Sequence, residues 1–231
     1  MAGKSLAIIT ARGGSERIPK KNIKEFCGKP IIQYSIEAAV ASGIFDEVMV
    51  STDSDEIKKV AERCGGNVPF MRSEKTAGNM AMTHEVVLEV LEEYKKRGQE
   101  FEYVCCIYPT APFITADRLR ESKKKLETTG ADGVIPIVAF SFPPQRCFVI
   151  RDGKVQFNWP QNALVRSQDL EKWYHDCGQY YFLRTASFLK SKKMVMENMV
   201  PIIIDEMEVQ DIDNYEDWKM AELKYKLREE L

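Results

Sequence analysis

A chain of 231 residues with 44% apolar and 29% charged residues closes one sizeable core and has the make-up of an ordinary globular protein. Its formal net charge of −2 argues against nucleic acid as a partner, because no basic surplus exists to neutralise phosphates. No apolar run is long enough to span a membrane and no signal-peptide core opens the sequence, so a cytoplasmic location is expected.

The first element is an apolar run at 6–10, short and rich in β-branched residues, which reads as a buried strand. Behind it comes Ala11-Arg12-Gly13-Gly14-Ser15-Glu16-Arg17-Ile18-Pro19-Lys20-Lys21-Asn22, a loop with two glycines, a serine and four cations. Glycines let backbone N–H groups close on an anion, and arginine matches the forked geometry of phosphate oxygens, so the loop reads as a polyphosphate cradle. It lacks the G-x-x-x-x-G-K-[ST] of a P-loop and the G-x-G-x-x-G of a dinucleotide fold.

Pro30 opens a helix that closes near Gly43, and a second strand at 47–52 ends in Asp53. Ser54 or Asp55 caps the next helix, 56–64, which stops at Gly65-Gly66. Residues 67–82 are irregular and include Arg72, an arginine among small residues beside the cradle. Thr83 then caps an amphipathic helix with Val86, Val87, Val90, Leu91 and Tyr94 on one face. A third strand at 103–108 runs into Pro109-Thr110-Ala111-Pro112, and Thr115 starts a helix whose lysine run at 123–125 is a solvated face. Strand alternating with helix predicts a mainly parallel sheet flanked by helices.

After a fourth strand at 133–139 the alternation breaks. Two short runs around Asp152-Gly153 predict a β-hairpin inside an inserted segment, 140–178. Regular structure returns with a strand at 179–183, a helix near 187–192, strands at 200–204 and 208–212, and a last helix from 214 to about 228. No repeat or low-complexity linker divides the chain, so one domain over 1–231 is expected. The six cysteines are scattered without a C-x-x-C pair and read as reduced, and neither His84 nor His175 has metal-ligand spacing to a cysteine.

In a strand at 208–212, Asp211 and Asp213 project from one face. Two carboxylates there repel unless a cation sits between them, and paired hard oxygens suit Mg²⁺; the competing reading is that Asp213 or Asn214 caps the last helix.

The loop Ala-Arg-Gly-Gly-Ser-x-Arg-Ile-Pro-x-Lys-Asn resembles the signature loop of the CMP-sialic acid synthetases, cytidylyltransferases that activate acidic sugars. The Asp-Ile-Asp of 211–213, followed by Asp217-Trp218, resembles that family's terminal metal-binding motif. The likeness runs over essentially the whole chain. It implies a Rossmann-like α/β nucleotidyltransferase fold with a small inserted dimerisation arm, and hence a homodimer. It further implies that the anomeric hydroxyl of a nine-carbon acidic sugar attacks the α-phosphorus of CTP and releases pyrophosphate. The residues carried over to the nucleotide are Ala11, Arg12, Gly13, Gly14, Ser15, Arg17, Lys21, Asn22, Arg72 and Thr83. Those carried over to the sugar are Tyr108, Arg166 and Tyr181, and those to Mg²⁺ are Asp211 and Asp213. Arg12, Lys21 and Asp211 are the expected catalytic groups, with Asp211 the nearby base. For Thr83, helix cap and ligand both remain open.

Two departures stand out. The family has Lys after the loop serine where this chain has Glu16, a carboxylate where a triphosphate is expected. Where sialic acid synthetases have Gln-Pro-Thr-Ser-Pro, this chain has Tyr108-Pro109-Thr110-Ala111-Pro112, an aromatic face in place of an amide. With Phe140, Phe142 and Arg146 downstream, this resembles the pseudaminic acid cytidylyltransferases, whose sugar carries acetamido and methyl groups. Legionaminic, N-acetylneuraminic or another ulosonic acid is the alternative within enzymes; a nucleotide-binding regulatory protein without catalysis is the alternative outside them.

Overall fold

A computed structural model describes residues 3–230. In chain order the strands are β1 (Ser5–Thr10), β2 (Glu25–Phe26), β3 (Lys29–Pro30), β4 (Glu47–Ser51), β5 (Tyr103–Ile107), β6 (Gly133–Ala139), β7 (Phe148–Arg151), β8 (Lys154–Phe157), β9 (Tyr174–Asp176), β10 (Tyr180–Arg184) and β11 (Met199–Ile203). The helices are α1 (Ile31–Ser42), α2 (Asp55–Arg63), α3 (Glu74–Ala77), α4 (Thr83–Lys96), α5 (Ala116–Thr129), α6 (Thr185–Ser191) and α7 (Tyr215–Glu229).

The main sheet runs β11-β6-β10-β5-β1-β4, parallel except for β10, and β9 pairs antiparallel with the far half of β6. Period-two alternation builds the layers. From β1, Ala7 and Ile9 pack with Ile32, Ile57 and Leu119 of α1, α2 and α5. Leu6 and Ile8 face Val87, Val90 and Phe188 of α4 and α6 on the other side. Cys105 and Cys106 divide between the same two faces as buried thiols, and no disulfide occurs among the described residues.

A third cluster fixes the site. Ile18 of the cradle loop and Ile212 of the Asp-Ile-Asp run, each 1% exposed, bury together with Phe26, Phe113 and Trp218. One apolar anchor thus drives the loop and the aspartate segment onto the same ground, and the polar neighbours of each anchor turn outward.

Most predicted elements are present. Ser54 caps α2 through the Ile57 amide, Thr115 caps α5 through that of Arg118, and Asp152 and Gly153 take the positive φ values of a tight hairpin turn. Two expectations are corrected, for 208–212 and for Thr83, and the arm holds one strand more than expected. Residues 208–212 join no ladder: the Glu208 carbonyl accepts from the Gln179 amide at 2.8 Å and the Val209 carbonyl from Lys224 at 2.7 Å, so side chains take the place of a neighbouring strand. Thr83 caps nothing; the Met82 amide donates to Glu85 at 2.8 Å, and Thr83 is the first helical residue. The arm 140–178 holds β9 besides its hairpin, and β9 ties the arm's end to the main sheet.

Candidate active site

The site lies beyond the carboxyl ends of β1, β4 and β5. The chain leaves β1 for β4 on one side while β5 lies on the other, and open α/β sheets bind ligands at such a switch point. The Ser51 carbonyl at the end of β4 is a hub, accepting from the Ala11 amide at 2.9 Å and from the Arg72 guanidinium at 2.7 Å. Arg72 adds a bond from Nε to the Ser51 hydroxyl at 3.0 Å and is almost fully buried. Burial lowers its pKa, and Asp53 and Glu89 oppose that shift.

Two adjoining cavities open here. The first, about 230 Å³, is walled by Arg12, Ser15, Glu16, Arg17, Lys21, Asn22, Arg72, Thr83, Tyr108 and Asp213, with the apolar Val86 and Pro109. The second, about 400 Å³, is walled by Lys21, Tyr108, Thr110, Asp176, Gly178, Tyr181, Asp211 and Asp213. Lys21, Tyr108, Thr110 and Asp213 belong to both and stand on the partition.

Lys21 donates from Nζ to the Ile212 carbonyl at 2.6 Å and lies 4.0 Å from the Asp213 carboxylate, which also pairs with Arg17 at 2.8 Å. Burial lowers the Lys21 pKa against the pull of Asp213 and Asp211. Crowding by protein atoms and then the charge of Asp213 raise the Asp211 pKa, with Lys21 acting the other way. Two outward carboxylates that repel each other, flanking a buried Ile212, fit a hard divalent cation. Asn214 caps α7 through the Glu216 and Asp217 amides, and Asp217 accepts from the Asp213 and Asn214 amides. The cap and the aspartate pair are therefore separate features of one segment.

Several sequence assignments change in kind. Ala11 is fully buried and acts through the backbone alone. The Gly13 amide donates to Asp53 at 2.7 Å, and neither Gly13 nor Gly14 takes a positive φ or lines a cavity. Gly13 sits in a close approach instead, since a Cβ there would stand 3.1 Å from the Ser54 Cβ and Ser54 would have to give by a few tenths of an ångström. The loop's left-handed residue is Lys20. The Asn22 amide donates to the Arg12 carbonyl at 2.8 Å and so shapes the loop from within the cavity wall. Arg166 lies on the arm, bonded to Asp169 at 2.7 Å, and lines neither cavity.

Glu16 lines the first cavity. The Asn79 amide donates to it and accepts from Arg12, so one side chain separates the cation from the carboxylate. Tyr108 directly follows β5, with its hydroxyl 3.4 Å from that of Thr83 and its ring edge-to-face with Tyr181 at 6.1 Å. Asp176 is the site residue that sequence reasoning missed. Asp-x-Gly just before an apolar strand was its only signal.

The family described as Cytidylyltransferase matches residues 6–229. The pseudaminic acid cytidylyltransferase of Campylobacter jejuni subsp. jejuni serotype O:2 is 37% identical over 228 residues, 98% of each chain. The CMP-N,N'-diacetyllegionaminic acid synthase of Legionella pneumophila is 32% identical over 97% of each. Among solved structures, a CMP:2-keto-3-deoxy-manno-octonic acid synthetase complexed with CTP superposes with a TM-score of 0.69 at 17% identity, over 99% of this chain and 100% of that one. Matched along nearly its whole length and carrying the fold of such enzymes, the chain belongs to the cytidylyltransferase family.

Proposed function

We propose that the protein transfers CMP from CTP to the anomeric hydroxyl of pseudaminic acid and releases pyrophosphate. The observation that carries the reading is the partition. A cation-lined cavity and a tyrosine- and carboxylate-lined cavity share Lys21 and Asp213, so a triphosphate in one presents its α-phosphorus to a hydroxyl in the other. Arg12, Arg17, Lys21 and Arg72 supply positive charge to the triphosphate, and Ser15 a hydroxyl. As the new O–P bond forms and the α–β anhydride breaks, Asp211 in the acceptor cavity takes the hydroxyl proton. Asp211 and Asp213 would hold Mg²⁺, which when bound neutralises phosphate charge.

The choice of sugar rests on Tyr108 and Tyr181, two rings that offer an apolar surface to acetamido and methyl substituents. The Campylobacter relative's name points the same way. The arm supports a homodimer. Phe142, Ile150 and Leu164, at 59%, 77% and 97% exposure, are apolar groups that a second copy would cover, and that copy could bring Arg166 toward the site. No described helix is long and apolar enough to cross a membrane, and a cytoplasmic location accords with the free thiols.

Pyrophosphate release with each nucleoside triphosphate, Mg²⁺ and a panel of nonulosonic acids tests the proposal. CTP with pseudaminic acid should give the fastest turnover; no release with any acid would leave a nucleotide-binding protein without catalysis.

A further inference from the structure

Asp176 ends β9 at the point where the chain kinks before entering β10. Gly178 makes the kink with φ 61, and its amide returns to Asp176 Oδ1 at 2.7 Å. The Tyr181 hydroxyl donates to Oδ2. The carboxylate is thus fixed from both sides while it lines the acceptor cavity. Among the described residues no cation lies within ion-pair distance of it, since Lys21 turns to Ile212 and Asp213. An ionised carboxylate offers about four acceptor sites, and two are taken.

Such a group repels the carboxylate of an acidic sugar and attracts a donor. It stands beside Tyr181, whose ring meets Tyr108 edge-to-face. A group that presents an N–H to the carboxylate and a methyl to the rings is an acetamido group. Resting on the function proposed above, we infer that Asp176 reads an acetamido N–H of the acceptor sugar and thereby sets which end of that sugar faces Lys21.

The test compares two acceptors: the acetamido sugar and its analogue in which acetate esters replace the acetamides, leaving shape and methyl but no N–H. Wild type should favour the amide about ten- to hundredfold in kcat/KM, the range of a hydrogen bond to a charged acceptor. In Asp176→Asn, Gly178 keeps the oxygen and the new NH₂ replaces Oδ2, where the Tyr181 hydroxyl turns to accept from it and no charged acceptor is left for a sugar N–H, so the amide-to-ester ratio should fall below about threefold through KM for the sugar, with KM for CTP unmoved. Equal use of both acceptors by wild type overturns the inference without any variant. An unchanged ratio in Asp176→Asn, with both substrates slowed alike, overturns it too and leaves Asp176 a support for Tyr181. If no acid is turned over, the proposed function fails and this reading fails with it; turnover with an unmoved ratio removes this reading alone.

Discussion

The Lys21 ammonium donates to the Ile212 carbonyl at 2.6 Å, joining the cradle loop to the Asp211–Asp213 segment across 191 positions of sequence. Loop, aspartates and partition hold together at this bond. Lys21 is the cation common to both cavities; on the proposed function it holds the α-phosphate and the attacking oxygen on one line.

Lys21→Met should therefore lower kcat by about 10²–10³-fold, the loss seen when one preorganised charge is taken from a transition state. Steady-state kinetics checks this, with circular dichroism to confirm that the fold remains. A variant within threefold of wild type would remove Lys21 from the reaction.

Arg72 has a structural part beside the one proposed for it. Arg72→Met strands the Ser51 hydroxyl and leaves its carbonyl one donor short, which should cost about 1–3 kcal/mol, while also raising KM for CTP. Thermal unfolding and CTP titration read the two effects separately. A rise in KM with no loss of stability would mean that the bonds to Ser51 are incidental.

Glu16 puts a negative charge in the first cavity, held there by Asn79. Glu16→Gln keeps a partner for Asn79 and removes about 1 kcal/mol of repulsion at 4 Å in a water-like medium, so KM for CTP should fall about fivefold. A higher KM would give the carboxylate a positive role in binding the nucleotide.

Glu89 ties the Arg72 segment to α4, accepting from the Ser73 amide at 2.8 Å, the Ser73 hydroxyl at 2.7 Å and Thr76. Burial alone would raise its pKa; the bonds from Thr76 and Ser73 outweigh that and hold it below the usual value. With the folded pKa depressed, its stabilisation is present above the unfolded pKa of about 4.3 and is lost as pH falls through the folded value. Glu89→Gln should lower Tm by roughly 2–3 °C at pH 7, and the difference should close in acid, once Glu89 is protonated. A difference that persists there would assign it to packing.

The legible parts of this molecule were those written in local patterns. Continuous apolar runs marked β1 and β5, Ser54 and Thr115 marked helix starts, and Asp152-Gly153 marked the arm's hairpin. The cradle was legible in its charges; that the Gly13 amide turns to Asp53 and its Cα packs close to Ser54 depends on a segment forty positions away. The aspartates were assigned to one face for the right period and the wrong element. Ile212 is buried as in a strand, yet the bonds to the carbonyls of this segment come from the side chains of Gln179, Lys224 and Lys21, far apart in the chain. Asp176 was hidden for a related reason. Its meaning depends on Tyr181, Gly178 and a cavity formed by four separate segments.

Tyr108 is where the choice of sugar should be most accessible to mutation. A site built to hydrogen-bond a hydroxyl strands its own polar groups when the hydroxyl is missing, whereas a ring strands none. Tyr108→Gln should shrink the preference for pseudaminic over N-acetylneuraminic acid by about 1–3 kcal/mol, ten- to two-hundredfold in kcat/KM. Strong preference unchanged by the substitution would move the discrimination to other residues of the acceptor cavity.

The most direct test of the account places the two sugars in one reaction. With pseudaminic and N-acetylneuraminic acids at equal concentration, limiting CTP and Mg²⁺, the ratio of CMP-sugars by mass spectrometry gives the ratio of kcat/KM. The account predicts CMP-pseudaminic acid in at least about tenfold excess. Equal products, or an excess of CMP-N-acetylneuraminic acid, would contradict it.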